Sequence, residues 1–123
     1  MASCAETFVK QTIQQHLVVV FSKSYCPFCR KAKQIFDDLD VTYHVVELDQ
    51  RSDASEIQKV LGQLTGASTV PRIFINQKCI GGCSDLTELL NSKKLQPMLQ
   101  ACGAKIQKVL GQLTGASTVP RIK

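Results

Sequence analysis

Short β-branched apolar runs alternate along this chain with longer segments whose apolar residues recur at every third and fourth position. Residues 17–22 (LVVVFS) are apolar up to the closing serine and predict a strand buried on both faces. After Pro27, apolar side chains at Ala32, Ile35, Phe36 and Leu39 mark one face of an amphipathic helix. Residues 42–48 (TYHVVEL) predict a second strand, and 49–53 are polar and turn-like. Ile57, Val60, Leu61 and Leu64 repeat the helical stripe, with Gly66 as its stop. Residues 72–76 and 78–80 form a predicted hairpin around Asn76-Gln77, closed by Gly81-Gly82. Ser84 is the expected N-cap of a helix through Leu86, Leu89 and Leu90. A last helix carries Leu95, Met98, Leu99 and Cys102 and ends at Gly103, and an opening helix covers roughly 5–14.

The resulting order is α-β-α-β-α-β-β-α-α. Its β-α-β start implies a right-handed parallel strand pair, and the late hairpin adds antiparallel strands. The fold class is therefore α/β, a small mixed sheet with helices on both faces. The domain is expected to close near residue 105. Beyond it, 106–122 repeats 57–73 letter for letter over seventeen residues. The second copy (106–123 with the final lysine) has no cysteine pair before it and no glycine pair after it. It is expected to be an inert tail, disordered or weakly helical, with 57–73 keeping its place in the domain.

Composition narrows the function classes. Hydrophobic residues make up 44% and charged residues 20% of the 123, as in an ordinary globular domain. The longest apolar run is far too short to span a membrane, and the first residues carry no leader pattern. A cytoplasmic protein without membrane attachment is expected. Of the net charge of +5, three units sit in residues 106–123, and no basic stripe interleaved with aromatics exists elsewhere. A nucleic-acid partner is not expected.

The six cysteines change the picture most. The stretch SKSYCPFCRKA places Cys26 and Cys29 where a buried strand gives way to a helix, the context in which C-x-x-C signals redox chemistry. Free backbone N–H groups and the helix dipole stabilise a thiolate there, and Lys23, Arg30, Lys31 and Lys33 add positive potential. Pro27 suits the first helical position because no N–H is lost. Cys26 is expected to attack and form a mixed disulfide, and Cys29, one turn in and more buried, to resolve it. A metal module is the alternative, with Cys79 and Cys83 completing a four-cysteine zinc site. Otherwise Cys79 reads as a half-buried strand residue, Cys83 as a secondary redox candidate, and Cys4 and Cys102 as exposed or packing thiols. His16 and His44 have no partner at ligand spacing and are read as packing residues.

Two further segments carry binding chemistry. In STVPRI, Val70 is biased to extended geometry by Pro71, and a cis bond would expose its backbone to an extended, peptide-like ligand. In GGCSD, the paired glycines permit close backbone approach. The N–H groups opening the next helix can hold an anion, and Asp85 an amine.

Through SKSYCPFC, ELD, IQKVLGQLTGASTVPRIF and GGCSD, residues from about 5 to 104 resemble a dithiol glutaredoxin of the thioredoxin fold. That resemblance implies a four-stranded mixed sheet, a cis Pro71, a monomer, and glutathione as reductant and co-substrate with no metal. The substrates it implies are protein disulfides and protein–glutathione mixed disulfides. It makes Cys26 the nucleophile and Cys29 the resolving thiol. Lys23 and Gln58 would meet the glycyl carboxylate of glutathione, Thr69 and Val70 its backbone beside Pro71, and Phe28 the sulfur. Gly82, Cys83, Ser84 and Asp85 would hold the γ-glutamyl end. Ser68 departs from the basic residue many relatives carry, a charge that Arg72 or Lys59 could replace. Some relatives bridge an iron–sulfur cluster through glutathione, generally without a proline between the cysteines, so Pro27 counts against that alternative.

Overall fold

The computed structural model describes residues 3–103. The domain boundary at 105 and the second copy at 106–122 lie outside the described residues. Ten elements follow one another: α1 (Cys4–Gln15), β1 (Val18–Ser22), α2 (Pro27–Asp38), β2 (His44–Glu47), a 3-10 turn (Leu48–Gln50), α3 (Ala54–Thr65), β3 (Arg72–Ile75), β4 (Lys78–Gly81), α4 (Cys83–Asn91) and α5 (Leu95–Ala101). The four strands form one mixed sheet in the order β2-β1-β3-β4. β1 runs parallel to β2 and antiparallel to β3, and β3 is antiparallel to β4.

The alternation of β1 divides the core. Val18 and Val20 face Ala32, Ile35 and Phe36 of α2, together with Leu86, Leu95 and Leu99 from α4 and α5. Val19 and Phe21 face Val9 and Ile13 of α1 and Ile57 and Leu61 of α3. All five residues of β1 are buried, as a strand covered by helices on both sides must be. Gly66 caps α3 in the left-handed conformation (φ 86°), the stop expected of it.

Two local expectations are corrected. The second strand is shorter than 42–48, because Leu48 begins the 3-10 turn and turns its side chain into the core. Ser84 is not the cap of α4. Gly82 takes that place, its backbone extended and its N–H donated to the Asp85 carboxylate three residues on, at 2.9 Å. Strand directions bring the C-terminal ends of β1, β2 and β4 and the start of β3 to one end of the sheet.

Candidate active site

At that end, the chain leaving β1 turns directly into α2. Cys26 is the N-cap of α2, with extended backbone, and its sulfur accepts the Cys29 N–H at 3.4 Å. Pro27 follows at the first helical position. The two thiols differ sharply: Cys26 is partly exposed, whereas Cys29 is 0% exposed. Burial acts to raise the Cys26 pKa but is outweighed. The Cys29 thiol, the N–H groups of Cys29 and Phe28, and the Arg30 charge together hold it below the ordinary thiol value. Burial pushes the Cys29 thiol up to about 11. One sulfur is set up to ionise, the other to keep its proton.

The cations are less uniform than their spacing suggested. Arg30 acts on Cys26. The Lys33 ammonium instead pairs with the Glu47 carboxylate at 2.8 Å, each side chain about a fifth exposed. Asp49 accepts hydrogen bonds from both the N–H and the hydroxyl of Ser24, fastening the loop before Cys26 to the turn after β2. That latch joins residues 25 apart, and only the ELD segment hinted at it.

A cleft of about 480 Å³ lies alongside, lined by Phe28, Lys31, the 69–72 loop, the 82–85 turn and Thr87. Eight of the expected site residues are therefore gathered: Phe28, Thr69, Val70, Pro71, Gly82, Cys83, Ser84 and Asp85. The Val70–Pro71 bond is cis. Lys23 and Gln58 are outside this lining, and the Gln58 amide donates to the Ser68 carbonyl at 3.1 Å. Lys31, Arg72 and Thr87 join the wall instead. Arg72 donates to the Thr69 carbonyl at 3.1 Å, so the cation next to Pro71 stands where Ser68 offers none. Phe28 is 65% and Tyr25 62% exposed, leaving an apolar rim around the partly exposed sulfur.

Of the remaining cysteines and histidines, one departs from expectation. Cys79 is exposed, because β4 is an edge strand whose first half faces water. Among the described residues, no group of three or more His, Cys, Asp or Glu side chains could hold a metal ion, so the four-cysteine zinc set is not assembled. Cys83 is buried and lines the cleft. Cys4 is exposed, and the half-buried Cys102 thiol donates to the Leu99 carbonyl. His16 and His44 are packing residues as expected, and they pack on each other: their rings stack with centroids 3.9 Å apart and planes 1° from parallel.

Comparison with known proteins agrees with this geometry. A glutaredoxin family model matches residues 18–80. The chain belongs to the glutaredoxin family. This glutaredoxin is 49% identical over 98 residues to glutaredoxin-C4 of Arabidopsis thaliana, covering 80% of this chain and 73% of that one. It is 47% identical over 100 residues to a glutaredoxin of Ricinus communis, covering 81% and 98%. Its fold matches the crystal structure of a buckwheat glutaredoxin–glutathione complex with a TM-score of 0.79 at 45% identity, covering 80% of this chain and 90% of that one. Glutaredoxins are glutathione-dependent thiol oxidoreductases, and this glutaredoxin is an enzyme of that class.

Proposed function

We propose that this glutaredoxin reduces protein disulfides and protein–glutathione mixed disulfides through the Cys26–Cys29 dithiol. The observation that carries the reading is the inequality of the two sulfurs, one partly exposed with a depressed pKa, the other fully buried with a raised one. The Cys26 thiolate attacks a substrate disulfide. One substrate sulfur leaves as a thiolate and takes a proton from solvent, while the other stays bonded to Cys26. On a protein disulfide, Cys29 loses its proton and displaces the substrate, closing the Cys26–Cys29 bond. Two glutathione molecules then return the dithiol to its reduced form and leave as glutathione disulfide. On a glutathionylated protein, Cys26 takes the glutathionyl group, and a second glutathione removes it without Cys29.

The cleft suits glutathione bound to Cys26. In this reading Thr69, Val70 and Pro71 pair with the peptide backbone and Phe28 covers the sulfur. Gly82, Cys83, Ser84 and Asp85 receive the γ-glutamyl end at the N-terminus of α4, where free N–H groups attract a carboxylate. Arg72 and Lys31 supply cations in the wall, with Lys23 and Gln58 further out. One chain suffices for this cycle, so the working unit is a monomer. A glutathione pool such as the cytoplasm's supplies the reductant.

The test is glutathione-coupled reduction of a glutathione mixed disulfide by the parent, Cys26→Ser and Cys29→Ser proteins. Cys26→Ser is expected to be inactive and Cys29→Ser to keep turning over that substrate while losing activity on protein disulfides. Parent-like turnover by Cys26→Ser would overturn the assignment.

A further inference from the structure

Ser22 is the last residue of β1 and is 0% exposed, yet its hydroxyl has no hydrogen-bond partner. A hydroxyl sealed from water without a partner is unfavourable, and such a group in a native core calls for an explanation. Strand alternation shows where it points. Val18 and Val20 face α2, and Ser22 is the next residue on that side. It therefore lies beneath the first turn of α2, where Cys29 is buried. Burial raises the Cys29 pKa, and the Lys23 backbone N–H and the Ser22 hydroxyl both act against that rise.

We propose that the Ser22 hydroxyl is a donor held ready for the Cys29 thiolate, making Ser22 a positioning residue for the resolving step. The proposal rests on the reading of Cys29 as the resolving thiol. Before that step Cys29 carries its proton and asks nothing of the hydroxyl. Resolution requires the proton to leave for solvent. The Cys29 sulfur then attacks the Cys26 sulfur, their bond forms, and the bond from Cys26 to the substrate breaks with its electron pair on the departing thiolate. Throughout, Ser22 keeps its own proton and lends it as a hydrogen bond to the charge on Cys29. Other charges near Cys29 are accounted for. Cys26 caps the same helix, and Lys33 one turn on is neutralised by Glu47 of β2. From α4, the Asp85 carboxylate is turned to the Gly82 N–H.

A hydrogen bond to an ionised group shifts its pKa by about one to two units. Thiolate fraction falls tenfold per unit, but nucleophilicity rises with basicity at a slope of about 0.4–0.5. The net result for Ser22→Ala is a resolution rate slowed about 3- to 15-fold at neutral pH. Below the Cys29 pKa this ratio holds at every pH, and the raised Cys29 pKa is the signature that a packing defect would not produce.

Two measurements decide it. The first titrates Cys29 through its own 13Cβ chemical shift, which separates it from the other free cysteines, in Cys26→Ser and in Cys26→Ser/Ser22→Ala. A rise of about one to two units is expected, and an unchanged titration would overturn the proposal. The second follows closure of a preformed Cys26 mixed disulfide as a function of pH in the Ser22→Ala protein. Closure at the parent's rate at neutral pH would overturn it as well. Thermal unfolding of Ser22→Ala checks the fold, and removal of an unpartnered hydroxyl should leave it intact. The titration needs no turnover, so an inactive parent would refute the proposed function without touching this result.

Discussion

Replacing Gly81 by alanine should do more damage than any other single methyl group added to the glycines near the cleft. Gly81 closes β4 at φ 111°, a backbone conformation that L side chains rarely adopt. An added Cβ would fall 2.6 Å from the Asp85 Cγ and 3.0 Å from its Cβ. Backbone strain of this kind costs about 1–3 kcal/mol. Asp85 must also swing away, giving up its bond from the Gly82 N–H, worth about 1.5 kcal/mol for a charged acceptor that is partly solvated. The stiffer unfolded chain returns about 0.5–1 kcal/mol. The net loss is about 1.5–4 kcal/mol, or roughly 7–19 °C in Tm at about 5 °C per kcal/mol for a domain near this size. Because Gly82 and Asp85 line the cleft, the KM for glutathione should rise as well. The assay is thermal and urea unfolding of Gly81→Ala, Asp85→Ala and the double variant. If the carboxylate is the obstacle, the double variant loses less than the sum of the singles by about 1 kcal/mol. A Gly81→Ala loss below about 0.5 kcal/mol, or strict additivity, would refute the reasoning.

Three other outcomes follow from charges fixed in the fold. Lys33→Met strands the Glu47 carboxylate, one oxygen of which is already buried without a partner; urea unfolding should show a loss of about 1–3 kcal/mol, with part regained in Lys33→Met/Glu47→Gln. The Ser24 hydrogen bonds lower the Asp49 pKa; its contribution is complete above the ordinary aspartate value of about 4 and fades as the pH falls through the folded-state value. Asp49→Asn should therefore flatten the acid limb of a stability-against-pH curve and slow turnover, since the loop ahead of Cys26 is freed. Burial, and then the His16 charge, lower the His44 pKa. Stability from this source is present above about pH 6.5 and lost as the pH falls through the folded-state value. His16→Ala should reduce the slope of Tm between about pH 7 and 5, and an unchanged slope would remove His16 from the account.

What could be read from residues alone was what depends on period and punctuation. The stripe of Ala32, Ile35, Phe36 and Leu39 announced α2, the apolar run before it announced a buried strand, and Gly66 announced the end of α3. The dithiol was legible because its meaning comes from that strand–helix junction. Pairings across the fold were not. The Ser24–Asp49 latch, the Lys33–Glu47 ion pair and the His16–His44 stack each join residues 14 or more apart, and nothing in local spacing encodes them. The cap of α4 was misplaced for a subtler reason. Serine is the better cap by propensity, but an aspartate three residues after Gly82 can take its N–H, and that bond starts the helix two residues earlier. Cys79 went astray because alternation fixes which residues share a face, while the position of β4 at the sheet edge decides what that face meets.

The polarity of the sheet has an engineering consequence. The redox cleft occupies one pole, while Gln15, His16, Leu17, Tyr43, His44 and Gly103 border a separate hollow at the opposite pole, where β1 and β2 begin. A four-residue strand such as β3 is roughly 13 Å long, so the hollow lies about a strand's length from the sulfur chemistry. A probe attached at this hollow, for example on the exposed Gln15, sits at the back of the catalyst and leaves its mouth open.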